Sequence, residues 1–111
     1  MSTLPLEGIR VLDSTYVFAL PYTGVQLTDL GAEVIKIEGP GRPDITRTGG
    51  LYGTVPDNVT GEDWWNRPST YNLLNRGKRS LILDLSTERG RDLFRQMVSV
   101  SDVVMENFTP R

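Results

Sequence analysis

Cysteine and histidine are both absent from this sequence of 111 residues. The first absence excludes disulfides and thiolate chemistry, and it leaves the redox compartment open. The second removes the commonest general base and the commonest metal ligand, so no metal site is expected. No apolar run approaches the ~18–20 residues of a membrane span. The opening MSTLPLEGIR lacks the basic start and apolar core of a secretory signal. The expectation is a cytoplasmic protein with no membrane partner. Charge of one sign is also missing: 12 Lys and Arg face 14 Asp and Glu, for a net charge of −2. The basic residues are scattered, and without a basic stripe no nucleic-acid partner is expected. Glycine is absent at one decisive place, the turn running from Asp13 to Pro21. Dinucleotide-binding turns need glycine there so that backbone can approach a pyrophosphate. A nicotinamide or flavin site is therefore not expected, although Glu38 stands where a ribose-binding acid would. No G-x-x-x-x-G-K-[ST] loop exists either, so kinase and phosphatase readings have no anchor.

What is present is a repeated alternation of strand and helix. Ile9 to Asp13 reads as a first strand after a Gly8 turn. Thr15 to Leu20 reads as a loop, and Pro21 suits the first turn of a helix that Gly31 ends. Glu33 to Glu38 predicts a second strand, broken by Gly39-Pro40-Gly41. A long loop follows, from about 39 to 72, with Tyr71 to Leu74 as a short helical turn. A loop of this length is either functional or a surface excursion packed by its own Trp64 and Trp65. Arg79 to Leu85 predicts a third strand. Ser86 or Thr87 then caps a helix from about Glu88 to Val100, with Leu93, Phe94, Met97 and Val98 on its inner face. Asp102 to Glu106 predicts a fourth strand. The pattern implies an α/β fold, a Rossmann-like parallel sheet with ligands outside the carboxyl ends of its strands. Counting two covering helices for four strands leaves one face bare. Residues 1–111 are thus expected to be the N-terminal part of a larger domain.

Four strings in order, LPLEGIRVLD, LTDLGAEVIKIEGPGRPD, NRGKRSLILDL with ERGRDLFRQMV, and SDVVMENFTP, resemble the start of the class III coenzyme A transferases. That family, also called CaiB/BaiF, includes formyl-CoA and carnitine-type CoA transferases and the related α-methylacyl-CoA racemases. The resemblance covers the chain except the 50–70 loop. It implies the first part of a Rossmann-like large domain and an interlocked homodimer in the full-length protein. Coenzyme A or acyl-CoA is implied as a substrate, with no permanently bound cofactor. The transferase chemistry it implies is attack by an aspartate on an acyl thioester to give a mixed anhydride, then an enzyme thioester, with a carboxylic acid finally taking the coenzyme. That aspartate is expected beyond Arg111, so no residue here is assigned a catalytic role. Asp13, Asp29 and Asp84 read as strand-end or helix-surface carboxylates. A racemase of the same fold, and a non-catalytic, partner-dependent segment, stay open as alternatives.

Residue by residue, the resemblance implies that Val17, Phe18 and Ala19 line the thioester end of the coenzyme. It implies that Leu83, Asp84, Leu85 and Ser86 meet its nucleotide end, and that Asn107, Phe108 and Thr109 meet its adenosine. Read without the family, Phe108 is a hydrophobic plug and Asn107 a turn residue. The family often carries a basic residue directly after the second strand's glutamate, where Gly39 stands here. Arg42 is the candidate substitute for the phosphates, or else a solvated loop charge. Ser86 replaces another frequent basic residue, and Ala19-Leu20 replaces a usual Ala-Gly, which narrows the acyl channel. Lys78 reads as a charged rim at the strand entrance.

Overall fold

The computed structural model describes residues 3–48, 55, 57, 59 and 61–110. Among these residues four strands form one wholly parallel sheet: β1 Arg10–Asp13, β2 Glu33–Glu38, β3 Arg79–Ile82 and β4 Val103–Met105. Their spatial order is β3-β2-β1-β4. Among the described residues three α-helices connect them: α1 Ala19–Asp29, α2 Ser69–Asn75 and α3 Glu88–Val98. The chain steps from β1 outward to β2 and β3. It then crosses back through α3 to lay β4 on the other side of β1. The strand order therefore reverses between β1 and β4, and in open α/β sheets that switch point is where ligands bind.

Period-2 alternation sorts the strand residues onto two faces. Val11 and Val34 pack with Ala32 and Leu27 on the α1 side. Leu12, Ile37 and Leu83 form the other core, closed by Leu93, Phe94 and Met97 of α3. Each such apolar side chain contributes about 1.5–3 kcal/mol on full burial. Both faces thus carry a helix, and the bare face expected from a two-helix count does not occur. Exposure is concentrated at the edges instead, where Ile82, Val103 and Val104 are open to solvent.

Several element ends differ from expectation, those of α1 and β3 among them. Helix α1 begins at Ala19, so Pro21 is its third residue. The first four N–H groups of a helix have no partner within it, so proline costs nothing there either. Strand β3 ends at Ile82 rather than Leu85, because Asp84 turns the chain toward α3. Its carboxylate accepts hydrogen bonds from the Ser86 N–H and hydroxyl, and Thr87 caps α3 by accepting from the Gly90 N–H at 3.0 Å. Val98, expected on the inner face of α3, is exposed. Trp64 and Trp65 lie edge to face, with centroids 5.9 Å apart, and both are exposed. Much of the 50–60 stretch of the long loop lies outside the described residues.

Candidate functional site

The loop after β1 and the loop after β4 are tied together at the switch point. Ser14 donates both its N–H and its hydroxyl to the Met105 carbonyl, each at 3.0 Å. The Asn107 side chain accepts from the Tyr16 N–H at 3.0 Å and donates to the Tyr16 carbonyl at 2.8 Å. The Tyr16 and Phe108 rings meet at 5.8 Å, tilted by 49°. The Tyr16 hydroxyl donates to the Arg42 carbonyl at 3.1 Å, which draws the loop after β2 to the same place. Phe108 is about half exposed, and Val17 and Phe18 of the loop after β1 are exposed as well. Ala19 opens α1, whose first turn carries no side-chain cap. Its N–H groups bring the partial positive charge of a helix N-terminus to the same edge.

Val17 holds φ at 75°. For a β-branched residue this left-handed conformation is rare and costs roughly 1–3 kcal/mol, and it persists only where the surroundings enforce it.

Of the residues picked out from the sequence, Val17, Phe18, Ala19, Asn107 and Phe108 gather at this point, with the Arg42 backbone beside them. The Arg42 side chain is exposed, and so is Thr109. The third-strand set lies elsewhere. Leu83 is buried in the α3-side core and gives its N–H to the Glu38 carbonyl at 2.9 Å. Leu85 packs on the same core, while Asp84 and Ser86 form the turn into α3. Because β3 lies two strands from β1, a ligand touching all three sets runs about 14 Å along the sheet edge, three strand spacings.

Sequence reasoning missed what lies beneath these loops. Asp13, Lys36, Glu38, Asp44 and Thr15 are all buried. Lys78, expected at an exposed rim, has a side chain only 1% accessible and pairs with Asp13 at 2.7 Å. Gly24 of α1 makes this possible, since a β-carbon there would sit 2.9 Å from the Lys78 Cε. Asp13 ends β1, in keeping with a strand-end carboxylate, and its burial makes it an ion-pair partner. Asp29, by contrast, is exposed and pairs with Arg76. The available signal was position: β2 lies inside a parallel sheet covered on both faces, so a lysine within VIKIE has no solvent to reach.

Glu38 accepts two hydrogen bonds from the Arg47 guanidinium, at 2.7 and 2.9 Å, one from the Asp44 N–H at 2.8 Å and one from the Tyr71 hydroxyl at 3.1 Å. Burial alone would raise its pKa, but Arg47 and the other donors outweigh burial and hold the carboxyl below its ordinary value. Burial, reinforced by the Glu38 charge, pushes the Tyr71 phenol far up, so it stays a donor at neutral pH. A carboxyl with a lowered folded-state pKa stabilises the fold above its unfolded value of about 4.3, and that stability disappears as pH falls through the folded value. Urea midpoints measured from pH 7 down to pH 3 are therefore expected to fall more steeply for the parent than for Glu38→Gln. Equal slopes would remove the linkage.

An open parallel sheet with its order reversal beneath tethered, partly aromatic loops defines an α/β domain of the doubly wound class. Comparison with known proteins narrows this. The chain belongs to the CoA-transferase family III, whose model it matches over residues 6–111. It is 45% identical over 105 residues to a succinate–glutarate CoA-transferase of Agrobacterium fabrum, covering 94% of this chain and 25% of that protein. It is 41% identical over 108 residues to a formyl-CoA:oxalate CoA-transferase of Streptomyces avermitilis, covering 97% of this chain and 24% of that protein. A crystal structure of a CAIB/BAIF family protein from Brucella suis superposes with a TM-score of 0.78 at 39% identity, over 96% of this chain and 26% of that one. The chain spans about a quarter of the length of the curated relatives it matches. Among the described residues no helix is long and apolar enough to cross a membrane.

Proposed function

We propose that residues 1–111 are the N-terminal part of a Rossmann-like domain that supplies one portion of the coenzyme A site of a CoA-transferase. The whole protein moves coenzyme A from an acyl-CoA donor to a carboxylic acid, so the coenzyme is a substrate and not a resident cofactor. The aspartate that forms the acyl anhydride and the enzyme thioester lies downstream of Arg111. The assembly is an interlocked homodimer, and the protein works in the cytoplasm in acyl-CoA metabolism.

The observation that carries this reading is the Tyr16–Asn107–Phe108 cluster at the β1/β4 switch point. A half-exposed aromatic ring next to a two-way amide bridge suits a flat heterocycle, and stacking of a base on an aromatic ring contributes about 1–3 kcal/mol. A site along about 14 Å of sheet edge suits a long substrate whose two ends are recognised separately. In this reading Leu83 to Ser86 meet the nucleotide end through their backbone turn. Val17, Phe18 and Ala19 flank the thioester, and Arg42 reaches the phosphates.

Titration calorimetry of the intact protein with acetyl-CoA tests the proposal. Phe108→Ala is expected to weaken binding about tenfold, the lower part of that stacking range. Unchanged affinity would displace the adenosine from this ring. Incubating acyl-CoA in deuterated water with no acceptor acid is expected to give no α-proton exchange. Exchange would assign the chain to a racemase.

A further inference from the structure

The residue that precedes Tyr16 is gripped from both sides by buried charge. Thr15 is fully buried, and its N–H and hydroxyl both donate to one Asp13 carboxylate oxygen. The Thr15 carbonyl accepts from the Lys36 ammonium. Lys36 in turn pairs with Asp44 at 3.0 Å, both side chains being 1% accessible. The other Asp13 oxygen takes Lys78 at 2.7 Å. One anion and one cation thus hold Thr15 directly, and each is paired with a second buried charge, the four coming from separate segments. The ammonium of Lys36 also lies 4.9 Å from the centre of the Tyr16 ring. Two residues beyond Thr15 is Val17, held at φ 75°.

Burying ions is not an economical way to stabilise a core, because apolar side chains of similar volume do so equally well or better. What an ammonium does and a hydrocarbon cannot is donate to one chosen carbonyl. That carbonyl belongs to the loop whose next residues form the proposed ligand edge. The charges themselves are out of contact with solvent, so they act on that edge through Thr15.

We propose that Lys36, oriented by Asp44, is a positioning residue of the site: by fixing the Thr15 carbonyl it holds Val17 in its left-handed conformation and sets Val17 to Ala19 toward the ligand. The inference rests on the reading of Val17 to Ala19 as the coenzyme-lining segment. Its mechanical half, the hold on the loop, stands apart from what the loop binds.

The test is a cycle between residue 17 and the buried pair. Changing Lys36 alone strands a buried carboxylate, so the pair is changed together as Lys36→Met/Asp44→Asn. An asparagine at 44 still accepts from the Thr46 N–H and hydroxyl, as Asp44 Oδ1 does now. In the intact protein this change is expected to weaken acetyl-CoA binding about tenfold. In a Val17→Gly background the same change is expected to cost less than about threefold, because glycine adopts positive φ without steric penalty. An equal loss in both backgrounds would make the pair a general fold element and overturn the proposal, as would no loss in either. Hydrogen exchange of the Tyr16 to Phe18 amides is measured on the same proteins without ligand. About a tenfold faster exchange in the pair variant is expected, and unchanged protection overturns the positioning role. Should the parent protein fail to bind acetyl-CoA, the coenzyme reading falls, and the exchange measurement still decides whether Lys36 positions the loop.

Discussion

Lys78→Met is expected to destabilise the fold by about 3–5 kcal/mol, the cost of leaving a buried ion without its partner. The reasoning starts from Asp13. Its side chain has no solvent access, and one of its oxygens is already committed to Thr15. The other oxygen faces Lys78, whose ammonium also donates to the Pro21 carbonyl at 2.8 Å and to Asn75 at 3.3 Å. Burial lowers the Lys78 pKa, and the attraction of Asp13 does not fully offset it. The pair as a whole is therefore no great source of stability. Breaking it is a different matter, because the surviving carboxylate stays in a dry site. Changing both partners, Lys78→Met with Asp13→Asn, is expected to recover more than half of the loss. An asparagine at 13 still accepts from Thr15 and carries no charge. Urea unfolding of the three proteins measures both effects. A single-variant loss below about 1 kcal/mol, the range of solvated pairs, would mean that Lys78 reaches water.

The contrast between what was legible in the sequence and what was not follows from the same chemistry. Strand β2 was read to the residue, because VIKIE is apolar on both faces and glycine and proline stop it sharply. The fold class followed from the order of strands and helices, and the carboxyl-end placement of Val17, Phe18, Asn107 and Phe108 from that class with the family resemblance. Chain periodicity reports which residues avoid water on average; it does not report which distant charges meet. Lys36 stands among apolar residues in β2, yet its partner Asp44 comes from a segment that periodicity describes only as loop. Lys78 looks like an entrance charge until Gly24 is known to leave room for it beneath α1. Tyr16 was passed over for a related reason. Its role comes from the loop after β4, 91 residues away in sequence, and no local pattern marks such a contact. Leu83, which the family resemblance assigns to the nucleotide end, has its side chain in the core, so a contact there falls to its backbone, a distinction that strand periodicity does not report.

Gly90→Ala sets two magnitudes against each other, and the larger is expected to win. Alanine is the better helix former by about 0.8–1.0 kcal/mol, and Gly90 lies inside α3 with no unusual backbone angle. Propensity alone therefore predicts stabilisation. The local geometry predicts the reverse, because a β-carbon at this position would overlap the Asp84 carbonyl oxygen. That oxygen belongs to the backbone and already accepts from the Thr87 N–H at 3.2 Å and hydroxyl at 2.9 Å, so no side-chain rotation relieves the clash. Either α3 moves away from the end of β3, or the turn at Asp84 opens. Overpacking of this kind costs typically 1–3 kcal/mol and occasionally more, and a backbone obstacle places this case at the upper end. A net loss of about 2 kcal/mol is expected in urea unfolding. Arg89→Ala, one residue earlier and exposed, is the control and should change stability by less than about 0.5 kcal/mol. In the proposed site the same displacement would move Asp84 to Ser86, so acetyl-CoA binding should weaken together with the fold. A stable Gly90→Ala protein with normal Asp84 and Thr87 amide protection would mean that α3 seats against β3 with more clearance than this contact allows.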